Sequence, residues 1–186
     1  MIGERTYLAL LVALAGERVF ELWLSNRNAR RAFARGAIEV GQRHFVPMAA
    51  MHASFLCSCA IESLALAPRV PMLLSIVALL STALAQAIRY AAVGALGERW
   101  NTRVIVTPGA TPVSSGLYRW IRHPNYVAVA IEIVAVPLIR GCWITAVVFS
   151  AANALMLAVR IPLEERALGQ PYQRVFASRP RFIPRI

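Results

Sequence analysis

The strongest constraint in this chain is an alternation: five long apolar stretches, separated by short segments whose charge is carried mostly by arginine. The stretches fall at residues 7–24, 46–67, 71–96, 124–139 and 142–160. The second and third reach the roughly 20 residues that a bilayer-spanning helix needs. The first carries Glu17, Arg18 and Glu21 near its end. In the fourth, the apolar stretch from Val127 to Ile139 is too short alone, so its helix is expected to start near Pro124, where a proline suits the first turn. The fourth and fifth are joined by Arg140-Gly141, a minimal hinge, and are expected to form a tight hairpin. The pattern predicts an all-α fold, a polytopic integral-membrane bundle of about five transmembrane helices. Residues 1–186 read as a single domain, with 161–186 as a tail beyond the last span.

Composition agrees. Hydrophobic residues make up 58% of the chain and charged residues 16%, with mean hydropathy +0.56, against about 45–50% apolar in ordinary soluble domains. So few charges cannot coat a soluble protein of this size, which argues against disorder and against an ordinary soluble enzyme. All 20 basic residues are Arg and all 9 acidic residues are Glu, giving a net charge of +11. The arginines fall between apolar runs and form no basic stripe, so lipid headgroups fit them better than nucleic acid does. Cys57, Cys59 and Cys142 are too few and wrongly spaced for a metal centre or disulfide framework, and read as buried small residues. The apolar run at 8–15 has the look of a secretory signal. The pattern resumes at Val19-Phe20 and Leu22-Trp23-Leu24, however, so a continuing helix is expected there.

Orientation follows from the arginines. The segment after the first stretch holds Arg27, Arg30, Arg31, Arg35 and Arg43; the segment after the third holds Arg99, Arg103, Arg119 and Arg122. The segment after Val159 holds six more, beginning with Arg160, whereas the two opposite connections hold only Arg69 and Arg140. By the positive-inside rule the N-terminus is expected outside and the C-terminus in the cytosol. Arginines flanking spans, such as Arg27, Arg30, Arg31 and Arg35, read as topology determinants that snorkel to headgroups.

Polar chemistry concentrates on that cytosolic side, most densely after residue 97. A loop over 97–125 ends in Gly116-Leu117-Tyr118-Arg119-Trp120-Ile121-Arg122-His123-Pro124-Asn125-Tyr126, and the tail opens with Arg160-Ile161-Pro162-Leu163-Glu164-Glu165. Both segments flank one helical hairpin, so they can meet at its mouth. Together they offer arginine forks for a carboxylate, carboxylates for an ammonium or a ribose, and rings for a purine or sulfonium.

These two runs, with Leu168, resemble the isoprenylcysteine carboxyl methyltransferase family over about residues 85–186. The N-terminal half, with Glu17-Arg18-Glu21 and Ser25-Asn26-Arg27-Asn28, resembles the bacterial branch found beside type III polyketide synthases. The resemblance implies an integral-membrane enzyme using S-adenosylmethionine, placed here in a bacterial cell membrane with its cofactor site on the cytosolic side. It implies a cofactor pocket lined by Tyr118, Arg119, Arg122, His123, Pro124, Tyr126, Glu164 and Glu165. Two departures stand out: Val127-Ala128 replaces the family's small residue and Gly after the Tyr, and Leu168-Gly169 replaces its aromatic-Gly pair.

Methyl transfer from a sulfonium to a carboxylate, already ionised at neutral pH, needs alignment and desolvation more than a base. A phenol or enol acceptor needs deprotonation, for which His123 or a Glu is the candidate. Arg122, His123, Glu132 and Arg160 are therefore the expected catalytic set, and Arg119, Arg122 or Arg160 can hold an acidic group. Glu17, Arg18 and Glu21 are the expected contacts of a lipid-like acceptor arriving laterally, although their i+3 and i+4 spacing also lets them pair with each other. Glu164-Glu165 equally suit a first helical turn after Pro162. Of the buried polar residues in mid-span, His52 reads as a hydrogen bonder between packed helices, Glu62 has no assigned part, and Glu132 is expected to matter most. Two other functions compete: an NADPH-dependent membrane reductase of the sterol-reductase type, which shares a His-Pro-x-Tyr element, and a small transporter or scaffold. The chain has neither the Asp pair nor the Lys-Tyr of those reductases, and its polar groups gather at one mouth, unlike a transport path. A prenylated cysteine, a polyketide alkylpyrone or resorcinol, and a quinone head all fit the acceptor, and oligomeric state is not encoded in any of these features.

Overall fold

Each apolar stretch becomes one helix. In a computed structural model describing residues 2–184, these are α1 (Glu4–Ala34), α2 (Phe45–Leu66), α3 (Met72–Leu96), α4 (Pro124–Leu138) and α5 (Trp143–Phe176). The protein is an all-α membrane bundle. The helices run up and down, so that two connections, 67–71 and 139–142, gather with residues 2–3 at one end. Everything else collects at the other. The sparse end is stitched by Arg140, which donates to the Ile2 carbonyl at 3.0 Å and to Ser63 Oγ at 3.4 Å. Glu62 accepts the Ile144 and Thr145 amides at 3.1 and 2.7 Å. It thus satisfies orphan donors at the N-terminus of α5 and complements its dipole. The hinge demands Gly141: its φ is +76°, and a Cβ there would meet the Val70 Cβ at 3.2 Å.

Large apolar side chains point outward all round, including Leu73, Ile144, Val147 and Leu155. That is the surface of a protein solvated by lipid, and it removes the hydrophobic drive between helices; close packing and internal hydrogen bonds remain. α3 meets this need with a stripe of small residues, Ser75, Ala78, Thr82, Ala85 and Ala92, all buried. Small side chains let backbones approach, and α3 packs along α4 more extensively than any other pair of helices. Near the sparse end, Tyr7, Leu11 and Leu14 of α1 join Phe55 and Cys59 of α2 and Ile133 and Val136 of α4 in one core. Of the cysteines, Cys59 and Cys142 are buried as expected, whereas Cys57 is exposed.

Three differences from the expected spans bear on the site. α1 does not stop near residue 24: no breaker occurs before Gly36, so the helix carries on past Arg27, Arg30 and Arg31. Its far end is held by Asn28, whose Nδ2 donates to the Trp100 carbonyl at 2.9 Å, and by Ser25, bonded to Asn101 at 2.7 Å. Second, α5 runs through Pro162 without interruption and departs from helical geometry only at Gly169. Much of the expected tail is therefore helix, and Glu164-Glu165 sit in mid-helix, not in a first turn. Third, two three-residue strands, β1 (Ile38–Val40) and β2 (Val104–Val106), pair antiparallel with Glu39 opposite Ile105. This ribbon ties the α1–α2 connection to the loop after α3.

Among the described residues, three helices are long and apolar enough to cross a membrane: Gln42–Leu66, Met72–Arg99 and Trp143–Phe176. α4 is apolar but spans only about 22 Å at 1.5 Å per residue. α1 is long enough, but its charges dilute its hydropathy; of these, Glu17, Arg18 and Glu21 are turned inward, as described next.

Candidate functional site

At the crowded end, His123 precedes Pro124 and closes the N-terminus of α4, its carbonyl accepting the Tyr126 amide at 3.1 Å. This stacks the His123 and Tyr126 rings, with centroids 5.3 Å apart. The Tyr126 hydroxyl donates to Glu164 on α5 and accepts from Arg160 Nε at 2.8 Å. Arg160, itself buried, also donates to the Thr102 carbonyl and reaches Met48 Sδ at 3.1 Å. One guanidinium thus joins α2, α4, α5 and the loop before the motif.

Glu165, adjacent in sequence, is committed elsewhere. It bonds His123 Nε2 at 3.1 Å, takes two hydrogen bonds from Arg181, and lies 3.5 Å from Arg122 Nη1. Hydrogen bonding to Glu165 raises the Arg181 guanidinium further above its ordinary value. The backbone strengthens this closure: the Arg122 and His123 amides donate to the Pro180 and Arg181 carbonyls at 3.0 and 3.1 Å. Residues 179–181 therefore lie as a strap across the Arg122-His123 pair.

A second polar cluster lies deeper, between α1, α3 and α4. Arg18 donates to Glu17 at 2.9 Å and Glu21 at 2.6 Å, and lies 3.5 Å from Glu132. Arg89 on α3 donates to Glu132 and reaches Glu21 at 3.4 Å. Gln86 adds a bond to Glu17 at 2.9 Å. Arg89 is 3% exposed and Glu132 5%, so removing either would strand a buried charge.

One cavity of ≈ 840 Å³ connects the two clusters. It is within the usual range for a small-molecule site. Its walls bring together Tyr118, Arg122, His123, Tyr126, Arg160 and Glu164 with Arg18 and Glu21. Arg119, Pro124, Glu165, Glu17 and Glu132 are not among its lining residues. Arg119 is exposed and lies over the Trp120 ring at 4.9 Å, while Pro124 is fully buried. Arg89 and His52 line the cavity and were not among the expected site residues. An arginine inside an otherwise apolar stretch was the available signal for Arg89. His52 shares its face of α2 with Phe45, Met48, Ala49 and Leu56, all lining the cavity at helical spacing. Four buried polar atoms of the lining residues, Arg18 Nε, Arg89 Nε, Asn125 Oδ1 and the Tyr172 hydroxyl, have no hydrogen-bond partner within the described structure. Buried polar atoms rarely stay unpaired.

A profile of the isoprenylcysteine carboxyl methyltransferase family matches residues 76–170, from α3 through the motif to the end of the Glu164-Glu165 segment. The chain belongs to this family. Membership makes it a membrane methyltransferase, and its lipid-facing exterior makes it an integral membrane protein. The chain is 36% identical over 162 residues to the uncharacterized protein YpbQ of Bacillus subtilis, covering 87% of this chain and 95% of that one. It is 27% identical over 164 residues to an uncharacterized protein of Haemophilus influenzae, covering 84% of this chain and 91% of the other. The family match takes in α4 and the membrane part of α5 but not α1 or the strap.

Proposed function

We propose that the protein transfers a methyl group from S-adenosylmethionine to an oxygen, carboxylate or hydroxyl, of a lipid-like acceptor. The observation that carries this reading is the single cavity running from the family motif to the buried charges of α1 and α3. Its unpartnered Asn125 and Tyr172 fit a polar, ring-bearing cofactor. Bound at the crowded end, that cofactor supplies an electrophilic methyl group on a sulfonium. The rings of Tyr118 and Tyr172 suit its purine, Glu164 its ammonium or ribose, and Arg122 its carboxylate. Arg160 holds Tyr126, and through it Glu164, in place by the bonds given above. Glu165 and Arg181 act by fixing His123, not by contact.

The acceptor enters from the bilayer in this reading. A second, mostly apolar cavity of ≈ 570 Å³ lies between α4 and α5 and shares Tyr126, Asn153 and Leu157 with the first. An acyl or prenyl chain seated there puts its head group beside the motif. The crowded end faces the cytosol and the N-terminus the outside of a bacterial cell membrane, with all five helices crossing and α4 shortened.

Titration of the purified protein with S-adenosylhomocysteine and with NADPH, followed by thermal unfolding in detergent, tests the reading. Stabilisation by S-adenosylhomocysteine alone is expected. Stabilisation by NADPH alone would establish the reductase instead, and by neither would point to a transporter or scaffold.

A further inference from the structure

Resting on the methyltransferase reading, we propose that Asn153 is the acceptor's second point of attachment. Its carboxamide bonds a polar atom of the head group other than the oxygen that is methylated, and so decides which end of the head meets the methyl donor.

Asn153 stands out by what it lacks. It lies on α5 within the largely apolar run 146–159 and is 5% exposed. Every other buried polar or charged residue among those described has a side-chain hydrogen bond. The uncharged ones within the spans find theirs inside the bundle. Ser75 donates to the Ile139 carbonyl at 2.6 Å, Thr82 to the Ala78 carbonyl at 2.9 Å, and Thr145 to Glu62 at 2.7 Å. Nothing among the described residues bonds the Asn153 side chain. A buried amide without a partner is costly, and asparagines in membrane helices ordinarily bond a neighbouring helix. The Nε atoms of Arg18 and Arg89 are enclosed by protein. Asn153, by contrast, opens on the motif cavity and on the apolar cleft between α4 and α5.

Three residues line both spaces, Tyr126, Asn153 and Leu157, and so frame the passage between them. The Tyr126 hydroxyl is taken up by Glu164 and Arg160, and Leu157 has no polar side-chain atom. Asn153 therefore carries the unspent hydrogen-bonding group of the frame. An acceptor whose tail lies in the cleft and whose head lies in the main cavity crosses at this point. Asn153 and Arg160 are seven residues apart, on the same face of α5 and about 10 Å apart along its axis. The cofactor belongs at the Arg160 end. One oxygen cannot be at both places, so a head held at Asn153 while it reacts toward the motif carries two polar groups, on a ring or a short branched chain. A carboxamide offers two N–H donors and a carbonyl acceptor without charge. It thus suits a hydroxyl, carbonyl or amide at this second position and leaves the charge of the reacting group open.

The test is a cycle of ligand and side chain, on the full-length protein in lipid vesicles with S-adenosylhomocysteine bound. One probe pair is pentadecylresorcinol and 3-pentadecylphenol; the other is N-acetyl-S-farnesylcysteine and 3-(farnesylthio)propanoate. The second member of each pair lacks one polar group, and the pair that the parent binds more tightly decides. Removing that group should weaken binding by about tenfold. Asn153→Leu should weaken the complete probe by a similar factor and the truncated probe not at all, with Tm and S-adenosylhomocysteine affinity held. A residue that merely packs would weaken both members alike. If the variant does not fold, the parent's discrimination within the pair decides. Equal losses for both members, a parent that binds both equally, or a parent that binds neither pair overturns this inference alone. Failure to bind S-adenosylhomocysteine overturns the methyltransferase reading and this one with it.

Discussion

The two polar clusters of this protein sit along one cavity and are built on opposite principles. At the mouth, Arg160, Tyr126 and Glu164 form an open chain whose members all line the cavity. In the interior, Arg18 and Arg89 are enclosed by three carboxylates and a glutamine. The first arrangement suits recognition, because side chains that line a cavity can meet a ligand. The second suits holding helices together where no hydrophobic force does so, because its ion pairs join α1, α3 and α4. A polar cluster inside a membrane protein is therefore not one kind of object.

The largest effect expected from breaking this contrast is on the brace. Arg89→Met strands the carboxylates of Glu21 and Glu132 and should cost on the order of 3–5 kcal/mol, seen as a sharply lowered Tm in detergent. The double variant Arg89→Met/Glu132→Leu should recover much of it. A single variant as stable as the parent would show that the cluster braces nothing.

Next comes the tail of the acceptor. Each methylene removed from water is worth about 0.8 kcal/mol, so shortening the chain by about four carbons should lower kcat/KM by roughly two orders of magnitude. The series must be corrected for membrane-bound concentration, and S-adenosylhomocysteine affinity should not follow it. A tail-less acceptor turned over equally fast would remove the α4–α5 entry path.

Glu164→Gln and Glu165→Gln sharpen the comparison within two adjacent residues. The first should weaken S-adenosylhomocysteine binding by roughly 1.5–3 kcal/mol, tenfold or more, with little change in the Tm of the free protein. The second should reverse that order, lowering Tm through the His123 and Arg181 contacts while sparing more of the affinity. Calorimetric titration beside thermal unfolding separates them, and identical behaviour would erase the distinction drawn between their roles.

The smallest effect belongs to Arg27→Ala. Its guanidinium lies 5.2 Å from the Trp23 ring on the outside of α1, so the loss should stay within about 0.5–1 kcal/mol with cofactor affinity unmoved. A large loss of affinity would mean that α1 reaches the cofactor.

Most of the helical frame was legible because an apolar run of span length has few alternatives, and Pro124 and Gly141 mark their helix boundaries by conformational necessity. The β1–β2 ribbon was not, because three residues per strand carry no periodicity to read, and the pairing joins segments more than sixty residues apart in the chain. The end of α1 was misplaced because arginines are good helix formers, so a positive-inside segment and a continuing helix look alike. In the site, the motif located the mouth, but it could not separate Glu164 from Glu165: neighbours on a helix point about 100° apart, and only the three-dimensional structure says which faces inward. Arg89 lies outside the charged segments between spans that mark the site in the sequence, and a histidine within a span, such as His52, usually serves packing.

The strap of residues 179–181 gives this architecture a direction in time. Arg122 receives its Arg179 partner from a position 57 residues further along the chain. At roughly 5–20 residues per second during synthesis, the motif waits several seconds, with α4 and α5 entering the bilayer meanwhile, before its last wall exists. The mouth is thus a late structure built from an early sequence: the nascent protein is anchored in lipid first and becomes able to close over a ligand only afterwards.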